Sequence, residues 1–249
     1  MATLRFSPTK LSTYLLCPKQ YYFAYLRKLP RRARSYFSLG TSVHSALQTF
    51  HEAGGTQTQD VGQLLGQLDA AWVDAGYTTP EQQAASLTLG QQMLASYYEA
   101  AEQKAAETLF LERTLSVPRD GYLLTGRVDR IDRRPDGLIE VVDYKSGGYL
   151  PTAEELANDL AIGIYQVLVA RNMDAKPIVG TILNLRSGDS VSLIRDEPQL
   201  QIVEQHVSEV VASIRSDTKF QPVPGRYCDW CDFAQYCPAA PRPAKLPRA

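Results

Sequence analysis

The chain has 249 residues, of which 44% are hydrophobic, enough to bury a full hydrophobic core. Lysine and arginine (26) nearly balance aspartate and glutamate (27), which excludes a generic polycation that coats nucleic acid by bulk charge. The sequence holds neither the roughly eighteen consecutive apolar residues of a membrane-spanning helix nor, after Met1, a charged-then-apolar leader, so the cytoplasm is the expected location and no membrane contact is expected.

The first hundred residues read as helical. Ser7-Pro8 pairs a capping hydroxyl with a proline suited to a first turn, and Leu11, Tyr14, Leu15, Tyr21, Tyr22 and Tyr25 mark an apolar stripe that Pro18 should kink or divide just after Cys17. Val43, Leu47 and Phe50 recur at helical spacing after Leu39, with His44 near their edge, and Gly54-Gly55 signals the end of that helix. Val61, Leu64, Leu65, Leu68 and Trp72 define a third helix, and Pro80 to about Lys104 a long fourth one with Leu87, Leu94, Tyr97 and Tyr98.

The period then changes to two. Segments at about 109–117, 122–133 and 138–145 read as strands, with Arg134-Pro135-Asp136-Gly137 as the turn between the last two. A helix over about 153–171, strands near 178–185 and 190–195 and a helix over about 197–216 follow. The stretch from Pro238 to Ala249, rich in proline, alanine and basic residues, is expected to be mobile. Two basic clusters stand out: Arg27, Lys28, Arg31, Arg32 and Arg34, and Arg127, Arg130, Arg133 and Arg134. The bland reading of either alone is a solvated charged face.

Strand residues two apart share a face, so Asp143 and Lys145 point one way and Tyr144 the other. A tight turn at Pro135 to Gly137 brings Asp129 across from residues 143–145, and a register pairing it with 143 or 145 puts its carboxylate on the face of Asp143. Two converging carboxylates repel unless a cation lies between them, and hard ions such as Mg²⁺ or Mn²⁺ take carboxylate, carbonyl and water ligands. A neighbouring lysine then suits a phosphodiester transition state. A salt-bridged polar hairpin is the competing reading, disfavoured because Leu138, Ile139, Val141 and Val142 mark a buried strand, where unpartnered charge is costly.

The four cysteines are Cys17, Cys228, Cys231 and Cys237, the first more than two hundred residues before the rest. In a cytosolic chain they point to metal rather than disulfides. Three thiolates sit on a compact loop and Cys17 can supply a fourth; zinc and an iron-sulfur cluster are both compatible with the spacing.

Gly126-Arg127-Val128-Asp129-Arg130-Ile131-Asp132, followed by Val142-Asp143-Tyr144-Lys145-Ser146-Gly147, closely resembles motifs II and III of the PD-(D/E)xK nuclease superfamily, in its RecB-like branch. Gly40-Thr41-Ser42-Val43-His44 resembles that branch's histidine-bearing helix. Leu11-Ser12-Thr13-Tyr14-Leu15-Leu16-Cys17-Pro18, with Cys228-Asp229-Trp230-Cys231 and Cys237, resembles the split iron-sulfur signature of AddB-type exonucleases and CRISPR spacer-acquisition nucleases.

The resemblance implies a restriction-endonuclease-like α/β core, a mixed central sheet flanked by helices. It forms one nuclease domain over 1–240, with a helical insertion at about 53–108, a cysteine-rich segment at about 226–238, a mobile tail at 241–249 and an iron-sulfur staple joining the two ends. It makes His44, Asp129, Asp143 and the backbone carbonyl of Tyr144 ligands of Mg²⁺ or Mn²⁺, and gives Lys145 the attacking water. Arg127 and Tyr165 become auxiliary DNA contacts, and Cys17, Cys228, Cys231 and Cys237 hold a 4Fe-4S cluster, with Zn²⁺ as the alternative. The implied activity is metal-dependent hydrolysis of DNA, as a single-strand exonuclease acting on free ends in repair or recombination, with a helicase as partner. The alternatives are a CRISPR spacer-acquisition nuclease, working with adaptation partners, and a non-catalytic iron-sulfur DNA-binding subunit. One departure from the family pattern is plain: the helix position four before Tyr165, usually glutamine, is Ala161, and Asn158 or Gln166 would have to supply the amide.

Overall fold

The computed structural model describes residues 4–101 and 106–240; the tail at 241–249, expected to be mobile, lies outside them. Six strands form one mixed sheet: β1 (Leu4–Phe6), β2 (Glu107–Arg119), β3 (Tyr122–Arg133), β4 (Ile139–Lys145), β5 (Ile178–Asn184) and β6 (Ser190–Arg195). Its order is β1-β3-β4-β5-β6, with β2 also paired to β3. Because β2 runs antiparallel along the whole of β3, β1 and β4 share the other edge, β1 parallel to residues 122–124 and β4 antiparallel to 130–133. Gly137, at φ 84°, closes the β3–β4 turn in the left-handed region that glycine enters without strain.

One face of the sheet is covered by α1 (Pro8–Leu16), α7 (Leu160–Met173) and α8 (Glu197–Ser216). Leu11, Val128, Ile131, Val141, Ile164, Leu168 and Val207 meet in the core on that side. The other face is covered by α3 (Ser35–Glu52), α4 (Val61–Ala70) and α5 (Pro80–Ala101), whose Val43, Leu47, Phe50, Leu68 and Leu94 pack with Val142, Tyr144 and Leu183 of the sheet. Of these, α4 and α5 lie within the span expected as a helical insertion, and α3 precedes it. No helix among the described residues is long and apolar enough to cross a membrane.

Local chemistry accounts for the helix boundaries. Ser7 caps α1 by accepting from Lys10 N–H, and Pro8 opens it; Pro18 restarts the chain as the short α2 (Pro18–Tyr21) after Cys17. The helix expected over 153–171 is two, α6 (Ala153–Ala157) and α7, because Asp159 accepts from Ile162 N–H and caps a new helix. A short carboxylate that bonds forward to the backbone competes with the helix behind it.

The phase of β3 is irregular at one place. Leu124, Val128 and Ile131 all enter the same core, whereas Arg130 and Asp132 bond to one another, and Arg130 to Tyr144, on the opposite side. Strict alternation forbids this, so the pleat slips at Asp129. Across from it on β2 stands Glu112, between the partners of Val128 and Arg130, with φ 46°, a conformation non-glycine residues seldom take. The β2–β3 register is the same on both sides of this point, and shifts only further along, between Thr108 and Phe110.

Candidate active site

Asp129, Asp143 and Lys145 come from the β3–β4 hairpin. The ladder runs from Arg133↔Ile139 to Arg130↔Val142, so Asp129 and Asp143 each lie one residue beyond its last pair. The Tyr144 backbone N–H donates to Asp129 Oδ2 at 2.8 Å, which locks the two strands together at the point where the pleat slips. Tyr144 itself turns to the opposite face, into the core under α3 and α5.

The histidine arrives from α3. His44 Nδ1 lies 3.5 Å from Asp129 Oδ2 and 3.9 Å from Glu112 Oε1, and its ring meets that of Tyr144 edge-on at 5.8 Å. One ligand atom each from His44, Glu112 and Asp129 lies within 4.8 Å of the others, a spacing that a single divalent ion can bridge. Asp143 stands outside this trio, paired with Lys145, whose Nζ is 2.5 Å from Asp143 Oδ2. Arg127 Nε reaches Glu112 Oε2 at 2.6 Å from a mostly exposed side chain.

The electrostatics are those of crowded acids. Burial pushes Asp143 up to about 6; Lys145 pulls it down and the Asp129 charge adds to the rise. Burial and Asp129 also hold Glu112 above its ordinary range, against the pull of Arg127 and His44. For His44, burial favours the neutral ring, but the Asp129 bond and the surrounding carboxylates outweigh it and its pKa is raised. Lys145 is likewise raised: burial opposes its charge, and Asp143 and Asp129 support it. Such crowded acids stay together only where protons or cations neutralise part of their charge.

Tyr165 on α7 belongs to the same neighbourhood, since burial and then the charges of Asp143 and Asp129 drive its hydroxyl upward. Gly126 makes this approach possible: a Cβ there would lie 2.8 Å from Leu168 Cδ1 and 3.1 Å from Tyr165 Cε1. The amide that could have replaced the glutamine missing at Ala161 is committed elsewhere. Gln166 donates to the carbonyls of Ile178 and Leu193 and accepts from Arg195, and Asn158 Nδ2 donates to Glu154 O.

Sequence reasoning missed Glu112. The signal available was an acidic residue inside a strand whose neighbours Leu111 and Leu115 are apolar, but its role depends on a positive φ and a cross-strand register that no local pattern announces. It also missed the buried network behind the hairpin. Arg130 Nε donates to Asp132 Oδ2 at 2.9 Å, and its Nη1 donates to Tyr144 Oη at 2.7 Å, to His51 Nε2 at 3.2 Å and to Tyr97 Oη. Burial and the Arg130 charge hold His51 down at about 3, so it is a neutral acceptor.

The four cysteines converge near the start of α3, where Arg34 binds Asp232 and the Trp230 carbonyl. None of the four forms a disulfide, and together with Gln20, Phe23, Val223 and Phe233 they line one small cavity. Burial raises Cys231, and charge on Cys17, Cys228 and Cys237 would raise it further. Val223 N–H points at Cys17 Sγ (3.5 Å) and Gly225 N–H at Cys228 Sγ (3.4 Å). Of the nearby aromatics, Phe233 is buried against Phe23, whereas Trp230 and Tyr236 are exposed.

The sequence profile of the PD-(D/E)XK nuclease superfamily matches residues 5–238. No curated protein matches the chain. Among solved structures, a protein from Eubacterium rectale described as a "putative exonuclease" is 14% identical, with a TM-score of 0.54 over 98% of this chain and 91% of its own. A second, SSO0001, is 13% identical, with a TM-score of 0.43 over 97% of this chain and 90% of its own. At such identity the first likeness concerns the fold.

Proposed function

The chain belongs to the PD-(D/E)XK nuclease superfamily, and from that premise we propose that it is a metal-dependent deoxyribonuclease acting exonucleolytically on single-stranded ends, in DNA repair or recombination. The observation that carries the reading is the convergence of His44, Glu112 and Asp129 to within 4.8 Å beside the Asp143–Lys145 pair. Members of this superfamily generally use Mg²⁺ or Mn²⁺, and the donor set fits: hard oxygens, one imidazole and buried acids whose mutual repulsion a divalent ion would relieve. His44, Asp129, Asp143 and the Tyr144 carbonyl, with Glu112 now added, are the groups proposed to hold it. The ion would supply Lewis-acid charge opposite the phosphate oxygens.

The chain's own residues do the rest. Lys145, half-exposed beside Asp143, places its ammonium where it orients a water for attack on phosphorus; the P–O bond to the leaving nucleotide breaks as the water oxygen bonds, with no covalent enzyme intermediate. Tyr165 and Arg127 flank the acids, where they are proposed to contact the strand.

The test is degradation of end-labelled single-stranded DNA with Mg²⁺ or Mn²⁺. Asp129→Ala should lower the rate by on the order of a thousandfold, since it removes both a ligand and the clamp on Tyr144. Cleavage by neither protein, in material with an intact cysteine centre, would instead favour the non-catalytic DNA-binding subunit, with Ala161 as the first suspect. Spacer acquisition would use the same chemistry with different partners.

At the cysteine centre we propose a 4Fe-4S cluster. The four cysteines line one cavity, and backbone N–H groups point at the sulfurs of Cys17 and Cys228, contacts of the kind that tune thiolates holding an iron-sulfur cluster. Purified protein is expected to carry iron and sulfide, and Cys231→Ser to lose both together with several degrees of melting temperature. Stoichiometric zinc in place of iron would overturn this assignment.

A further inference from the structure

The N-terminal end of α3 carries an exposed aromatic pair that neither core uses. Tyr36 and Phe37 are each 55% exposed, with ring centroids 4.4 Å apart and planes inclined at 47°. Phe37 lies seven residues before His44, which in a helix means the same face, about 10 Å along the axis. The surface between them is low. Gly40 sits midway, and a Cβ there would come within 3.2 Å of Ser146 Oγ, in the loop that follows Lys145. Thr41 is exposed, and open space surrounds the position where Gly147 would carry a Cβ.

The segment leading into α3 is cationic. Arg27, Lys28, Arg31 and Arg32 are exposed, and among the described residues none of them forms an ion pair. Arg31 lies over the Tyr25 ring at 5.7 Å. Arg34, by contrast, is tied down, donating to Asp232 and to the Trp230 carbonyl, which fixes the start of the helix.

We propose that Tyr36 and Phe37 form a base-stacking platform for a single-stranded polynucleotide, whose backbone is held by Arg27, Lys28, Arg31 and Arg32 and which runs along α3, over Gly40 and Ser146, to the acids at His44. The proposal rests on the nuclease reading and adds the entry path. Exposed rings beside unpaired cations match what a single strand offers, since every base has a π-face and every phosphate a charge. A duplex hides its base faces and gains little from the rings.

Binding separates this from the nuclease reading itself. Fluorescein-labelled oligothymidylate is titrated by anisotropy in Ca²⁺, beside an abasic strand of equal length and a duplex. Tyr36→Ala and Phe37→Ala should each weaken oligothymidylate binding by about tenfold and leave the abasic strand unaffected, and Phe37→Tyr should retain affinity. Arg31→Ala with Arg32→Ala should weaken both strands and lower the slope of log affinity against log salt by about 1.4. Hydrolysis of thymidine 5′-(p-nitrophenyl phosphate), which reaches only the acids, should be unchanged in the ring variants. Unchanged oligothymidylate affinity in the ring variants overturns the platform even where wild-type protein cleaves DNA, as does equal loss on the abasic strand. A wild type that stacks bases but cuts nothing would keep the platform and refute the nuclease.

Discussion

Asp143→Asn is expected to abolish DNA cleavage while making the metal-free protein more stable near neutral pH. The carboxyl is buried and lifted to about 6, so at pH 7.5 the fold holds an ionised group that it would rather keep protonated. An isosteric amide removes that penalty, a gain of about 1–3 kcal/mol offset in part by the lost contact with Lys145. The pH dependence separates this from a packing effect. Between the ordinary carboxylate range and about 6 the folded protein binds a proton that the unfolded chain does not. The metal-free wild type should therefore gain stability relative to Asp143→Asn as pH falls from 7.5 towards 5. Thermal melts of both proteins with EDTA across that range are the measurement. A variant that melts below wild type at pH 7.5, or a gap between the two that stays constant with pH, would sink the account. Adding Mn²⁺ should raise the wild-type melting temperature and leave that of the variant unmoved.

Arg130→Met should have the largest effect on stability. The residue is 6% exposed, and its guanidinium joins Asp132, Tyr144, Tyr97 and His51 behind the hairpin. Losing it strands the buried Asp132 carboxylate, a loss of about 3–5 kcal/mol in urea unfolding. Arg130→Met combined with Asp132→Leu should recover part of that, because a buried pair replaced by apolar groups can be nearly neutral. His51, freed from the adjacent charge, should titrate above about 3, readable by NMR of its ring protons. A single variant within about 1 kcal/mol of wild type would show that the network is not holding the hairpin.

The hairpin was legible because its code is local. Strand-forming apolar residues over 122–133 and 139–145, a Pro-Asp-Gly turn and Asp143 two positions from Lys145 specify strands, reversal and shared face without knowledge of the rest. What stayed hidden depends on partners distant in sequence. The three residues of β1 are too few to show a period, and they pair with Tyr122 to Leu124 only once the sheet exists. Glu112 looks like any solvent-facing strand acid until a positive φ turns it towards His44. Arg130 reads as one more member of a basic cluster, while the structure divides that cluster: Arg130 is buried, and Arg127 and Arg133 each bind a glutamate of β2. The boundary between α6 and α7 was visible in Asn158-Asp159, two residues that favour caps, but the continuous apolar pattern across them spoke for one helix.

The cysteine centre also sets an order of events during synthesis. Cys17 leaves the ribosome more than two hundred residues before Cys228, Cys231 and Cys237, which follow only after strands β1 to β6 have been made. A ligand set divided in this way cannot close on a nascent chain that is still short. Whatever is loaded there meets a polypeptide whose β3–β4 hairpin has already been produced, and a chain broken off before residue 228 would present Cys17 without the other three ligands. Any metal that needs all four thiols therefore binds only after residues 129–145 of the hairpin have been synthesised.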